Sequence, residues 1–382
     1  MIRILTILML FFSAPIHAYV GLCCGKCGGN MPMNIPGGGV PETHEFRFKL
    51  SPVLMHMDGL LDGSSKVNVN DILGMPVMMG MPTGQYMAAP VNMDMNMTNF
   101  MLGYSFTDDF FAGIMLMHMN SQMDMRFNSM MQMMTGQQGF TMKSSGLADS
   151  MVMTKYRLFT DDPLIPKKQV SFLFSLSMPT GSIDERNTRH PFAMRRNELL
   201  PYGMQLGSGT FDPTVGLLYQ ASRSPYWWGA NLSYTARLYN NKRDYRLGNE
   251  AHLDLYGMYQ LRHDLLAQLQ LNMSHRGKIR GEMDEAVSGF SGRVVKNDPN
   301  SPYMTPLWDT SNTGHSKVMA TLGFQWQPTT MQILDLSVGL PMYTKTTGIQ
   351  LEEDYRIMLT WYVEMPTSNS RRYVKKKSSL GF

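Results

Sequence analysis

Thiols and thioethers are the side chains of this 382-residue chain best suited to chemistry. Cys23, Cys24 and Cys27 lie in "CCGKCGGNMPM" (23–33), and methionine recurs at Met55 and Met57, at Met93, Met95 and Met97, and at Met115, Met117 and Met119. A thioether is neutral and soft and has no proton to lose, so it favours Cu(I) or Ag(I) over hard ions. Two methionines at i and i+2 of a strand share one face about 7 Å apart. A neighbour about 5 Å away on the next strand can supply a third ligand. The candidate metal ligands are therefore Cys23, Cys24, Cys27, Met55, His56, Met57, Met93, Met95, Met97, Met115, Met117 and Met119, and Cu(I) is the ion they suit. His118 has the opposite parity to its methionine neighbours and reads equally well as a rim residue.

Blander accounts exist for both sets. Methionine is an adaptable apolar filler and a scavenger of oxidants, and Cys24 with Cys27 could close a simple disulfide. Filler should be spread along the chain, whereas 23 of the 39 methionines fall between Met55 and Met153. Three cysteines confined to residues 23–27 cannot staple a fold. No His-Glu-x-x-His, Gly-x-Ser-x-Gly or Walker loop is present, so no catalytic set is proposed and an enzyme is not expected. The formal charge is only +4, and its one basic run, "RRYVKKK" (371–377), does not suggest nucleic acid.

The elements that must position these side chains are exported strands. Met-Ile-Arg, the apolar run Ile4 to Phe12 and "SAPIHA" have the order of a signal peptide over residues 1–18, cut after Ala18. Leu22 before Cys23 argues against a lipoprotein. No later stretch has the eighteen or so apolar residues a membrane helix needs. Twelve alternating segments follow: 44–56, 93–106, 110–125, 147–159, 168–179, 209–222, 226–240, 247–262, 264–276, 314–327, 331–345 and 353–365. Short connections such as "TDD" (107–109) and "RHD" (262–264) alternate with long or medium ones such as 57–92, 126–146, 180–208 and 277–313. That alternation, the even strand number and strands of ten or more residues predict an all-β, antiparallel transmembrane β-barrel of the outer membrane, with both termini in the periplasm. A soluble sandwich would have strands of about five or six residues.

Parity assigns faces. Phe100, Leu102, Tyr104 and Phe106 should meet lipid, which leaves Met93, Met95, Met97 and Met101 in the lumen; Val152, Thr154, Tyr156 and Leu158 oppose Met151, Met153, Lys155 and Arg157 in the same way. Residues 19–41 should form a Cys/Gly/Met-rich periplasmic arm, 42–366 the barrel and 367–382 a basic periplasmic tail.

Two stretches, "SLSMPTGS" (175–182) and "LGSGTFDPTVGLLY" (206–219), resemble the core of bacterial outer-membrane proteins described as the putative meta-pathway of phenol degradation family. The resemblance covers mainly residues 150–365, implies an outer-membrane channel or transporter, and brings no catalytic residue with it. The methionine-rich first third departs from the pattern. The residues favour a channel whose lumen handles soft metal ions, with outer-membrane lipid and a periplasmic copper-handling protein as partners. Metal sequestration without transport is one alternative. Uptake of a small hydrophobic compound, as the resemblance implies, is the other.

Overall fold

The computed structural model describes residues 31–38, 43–79, 81–162, 166–284 and 303–373. Twelve long strands form among them: β1 (Glu45–Asp62), β2 (Ala88–Ser105), β3 (Phe110–Phe127), β4 (Ser150–Thr160), β5 (Lys168–Met178), β6 (Asp212–Arg223), β7 (Tyr226–Thr235), β8 (Glu250–Arg262), β9 (Leu265–Arg276), β10 (His315–Thr329), β11 (Gln332–Thr346) and β12 (Ile349–Pro366). Each pairs antiparallel with its neighbours, and β12 pairs back onto β1 from Glu45↔Pro366 to Asp62↔Ile349, closing the sheet. Closure follows from the outward side chains. Phe46, Leu102, Ile114, Val152, Leu217, Leu232, Leu269, Leu322, Leu336 and Leu359 cover the outside with apolar surface. A sheet edge left open in that apolar surround would strand backbone groups with no partner.

Aromatic rings gather at the end that carries the short turns. Phe46 lies 4.7 Å from Tyr104, Tyr104 4.9 Å from Phe106 and Tyr226 5.2 Å from Tyr259, an interfacial girdle of the kind barrels carry. Beyond the apolar belt, towards the long loops, β2 carries Asp94 and Asn96 and β3 carries Asn120 and Gln122 outward, so this part of the wall faces water. Here the strands outrun the segments predicted for them. β1 continues to Asp62, β2 starts at Ala88 and β12 at Ile349, so that "TTGIQLE" contracts to a tight turn through Thr347 and Gly348, whose φ is +69°. Gly139–Leu147, expected as loop, is a strand on the upper half of β3, whose lower half pairs with β4. With methionine inside and polar groups outside, these extensions lack the lipid-facing apolar stripe that marks the rest.

The first described stretch, residues 31–38, lies inside the short-turn end of the barrel, not in a free arm outside it. Met31 packs with Ile35, Leu173, Leu218 and Trp227, and Met33 packs with Ile333 and Tyr362. The predicted signal peptide and the tail beyond residue 373 lie outside the described residues.

Candidate functional site

The inner faces of β1, β2, β3 and the Gly139–Leu147 strand set methionines against one another across the sheet. Met57 is in register with Met93 and Met55 with Met95. Met93 is in register with Met123, Met97 with Met119 and Met101 with Met115. Met123 in turn faces Met142, and Met115 faces Met151 on β4. The predicted Met55, Met57, Met93, Met95, Met97, Met115, Met117 and Met119 thus share one lumenal wall. His56 does not join them. Its ring is on the outer face, with Nδ1 2.6 Å from Asp94 Oδ1 and the ring stacked on Tyr355 at 5.5 Å. Odd and even positions of one strand leave it on opposite sides, so a histidine between two methionines cannot share their site. Cys23, Cys24 and Cys27 lie outside the described residues.

The wall continues into a cluster that fills the long-loop end of the lumen. Met93, Met123, Met125 and Met142 pack there with Met87, Met131, Met204, Met283 and Met304, and with Phe127, Phe140, Tyr202, Tyr245 and Trp308. The loops fold inward to reach it. Met283 N–H donates to Tyr202 Oη at 3.0 Å, the N–H groups of Met87 and Ala88 donate to the Met304 carbonyl, and Tyr202 lies 4.8 Å from Tyr245. His190, in the β5–β6 loop, sits 4.5 Å from Phe140, and burial with Arg195 nearby pushes its pKa down to about 4. Met123 and Met125 share the odd parity of their strand and were legible as lumenal. Met204, Met283 and Met304 come from loops with no periodicity, so only the fold brings them in.

The opposite end sets a polar network beside the apolar clusters around Met31 and Met33. Asp335 accepts from Gln325 Nε2 at 2.8 Å, from Gln268 Nε2, and from the Met33 N–H at 3.4 Å. Gln325 also donates to the Met31 carbonyl, and the amides of Asn34 and Gln270 bond each other reciprocally at 2.9 and 3.0 Å. Arg47, fully buried, donates to the Gly38 carbonyl at 2.6 Å and lies 4.6 Å over the Phe111 ring. Residues 31–38 are therefore tied to the lumen wall by backbone groups, by the Asn34 amide and by the buried side chains of Met31, Met33 and Ile35.

The lumen pairs a packed cluster of thioethers and aromatic rings under the long loops with a floor, part apolar and part polar, held against residues 31–38. Among the described residues no three His, Cys, Asp or Glu side chains are grouped to hold a metal ion. Thioethers and aromatic rings on the inner wall present an adaptable apolar surface with few hydrogen-bonding groups.

Comparison with known proteins agrees with the architecture. A family model described as "Putative MetA-pathway of phenol degradation" matches residues 80–300. No curated protein matches the sequence. An outer membrane channel from Pseudomonas putida F1 is similar at a TM-score of 0.54 and 10% identity, over 85% of this chain and 97% of that one. The P. putida toluene transporter TodX is matched at 0.43 and 8% identity, over 92% of this chain and 100% of that one. The first likeness is one of fold, and the fold is an outer-membrane β-barrel.

Proposed function

This chain belongs to the putative MetA-pathway of phenol degradation family, and from that premise we propose that it is a passive outer-membrane channel for small apolar solutes, aromatic ones among them. The observation that carries the reading is the cluster under the long loops, where nine buried methionines pack with five aromatic rings and two leucines. Thioether side chains rotate freely and re-pack around guests of different shape, which favours transient binding over tight retention. A captured solute must then pass the floor, so residues 31–38 move during transit. No chemical step is assigned to the protein.

Proteoliposomes test the reading. Vesicles bearing the protein should take up a labelled monoaromatic solute several-fold faster than protein-free vesicles. Replacing Met93, Met123 and Met125 by glutamine should remove most of that gain, because the cluster becomes polar. Equal uptake with and without protein would refute it.

A second reading, handling of soft metal ions, is favoured by the cross-strand methionine pairs Met55–Met95 and Met57–Met93. Ag(I) flux through the same vesicles supports transport, and with it a periplasmic copper-handling partner. Ag(I) binding without flux supports sequestration on a scaffold.

A further inference from the structure

One row of the methionine wall differs from the others. Met57 on β1, Met93 on β2, Met123 on β3 and Met142 on the Gly139–Leu147 strand occupy consecutive register positions on four adjacent strands. All belong to one packed cluster, and Met93, Met123 and Met142 are each less than 5% exposed. We propose that Met93, Met123 and Met142, flanked by Met57, form a thioether site for a single monovalent soft cation, Cu(I) or Ag(I). The site would exist whichever solute the channel passes.

Three observations lead there. The first is reach. Cβ atoms of facing residues on adjacent strands are about 4.5–5.5 Å apart, and the flexible methionine side chain lets neighbouring Sδ atoms converge on one point between them. Neutral donors leave the site with only the ion's single charge, and the Phe127 and Phe140 rings of the same cluster can face a cation. A hard dication would find no oxygen or nitrogen ligand among these side chains.

The second is composition. The buried members of this cluster include nine methionines, two leucines and no valine or isoleucine, whereas the cluster around Met31 uses Leu173, Leu218 and Leu266 for the same task of filling the lumen. Thioether is therefore not the chain's general choice of apolar filler.

The third separates this row from its nearest rival. Met101, Met115 and Met151 also stand in register, but Met101 faces Lys49, and Arg47 Nη2 lies 2.6 Å from Met101 Sδ. A cation already occupies that thioether. Among its described register partners, the Met57 row meets a charge at its β12 end, where Glu353 is paired with Lys317 and Arg356. The polar outer-face residues His56, Asp94 and Lys143 are on the other side of the sheet.

The test uses the full mature chain with Cys23, Cys24 and Cys27 changed to serine, so that thiolates do not mask thioethers. Titrated with silver nitrate in chloride-free detergent solution, this protein should retain at least one Ag(I) per chain after desalting. The further changes Met93→Leu, Met123→Leu and Met142→Leu, which keep volume and apolarity, should remove that ion, while Met178→Leu, Met319→Leu and Met358→Leu should not. Heat-modifiable gel migration reports that each variant is folded. A second measurement needs no variant in the row. With methionine methyls labelled with carbon-13, Ag(I) should shift the Met93, Met123 and Met142 resonances, and Zn(II) should leave them in place. Unchanged stoichiometry in the folded triple-leucine protein, or methyl resonances that ignore Ag(I), would overturn the proposal.

Discussion

A histidine held neutral among aromatic rings ties the long-loop end to pH. His190 packs against Phe127, Phe140 and Phe192, and burial with nearby Arg195 and Arg196 holds its pKa at about 4, against 6.5 when free. Between those values the opened loop takes up a proton that the closed loop refuses. The histidine's contribution to closure is thus full above pH 6.5 and disappears as pH falls towards 4. Glu198 works the other way: burial raises its pKa to about 6, so its unfavourable burial is relieved below that value. The histidine's shift is the wider, so closure should weaken on acidification. Limited proteolysis within 178–212 is expected to be faster at pH 5 than at pH 7, and His190→Phe should flatten the difference. The floor has its own single-residue test. Asp335→Ala removes the acceptor shared by Gln268, Gln325 and the Met33 N–H. A cysteine placed at Ile35 should then react with a water-soluble maleimide several-fold faster, and single-channel conductance should rise. At this scale parity read Lys155 as inward correctly. It could not tell what an inward arginine meets, because its partners come from residues 38, 101 and 111.

Two strands carry the closure of the barrel, and a short return of chain clasps them. Arg372 pairs with Glu45 on β1 and Glu364 on β12, and Ser370 donates to the same Glu45 carboxylate. Glu45 is fully buried, so Arg372→Ala leaves its carboxylate without a charged partner, at a cost of about 3–5 kcal/mol for a broken buried pair. The temperature at which the gel-shifted folded form disappears should fall, whereas removing residues 374–382 alone should barely move it. Glycine has a comparable role between β2 and β3. Gly103 and Gly113 face each other, and a Cβ on Gly103 would come within 2.2 Å of the Phe111 ring that lies under Arg47. Gly103→Val should displace that ring and cost about 1–3 kcal/mol in overpacking, seen as earlier loss of the folded form in urea. The strands themselves were legible because lipid demands an apolar outer face. Gly139–Leu147 was not: its outward Thr141, Lys143 and Ser145 look like a loop.

The whole molecule is lopsided. Strands of 18 residues in β1, β2, β3 and β12, at about 3.4 Å per residue and about 40° of tilt, stand about 47 Å tall. The 11-residue β4 and β5 reach only about 29 Å, close to the belt height of about 25 Å. Sequence periodicity could find the number of strands and their order, since both follow from burial against lipid, but not this difference in height, which lies outside the bilayer. Nor could it find that residues 31–38 fill the floor, because a short uncharged stretch with two prolines reads equally well as a linker.

The tall, water-facing wall changes where a solute first meets the protein. The outer leaflet of such a membrane is topped by a hydrated sugar layer, a medium in which apolar molecules are scarcely soluble and diffuse slowly. A wall rising about 20 Å above the belt on one side carries the thioether cluster into or through that layer, like a snorkel whose mouth is above the waterline. Capture of a dilute apolar molecule would then depend little on how densely the surrounding carbohydrate is packed. Uptake by cells with full-length and with truncated surface polysaccharide should differ far less through this barrel than through one whose walls end at the lipid.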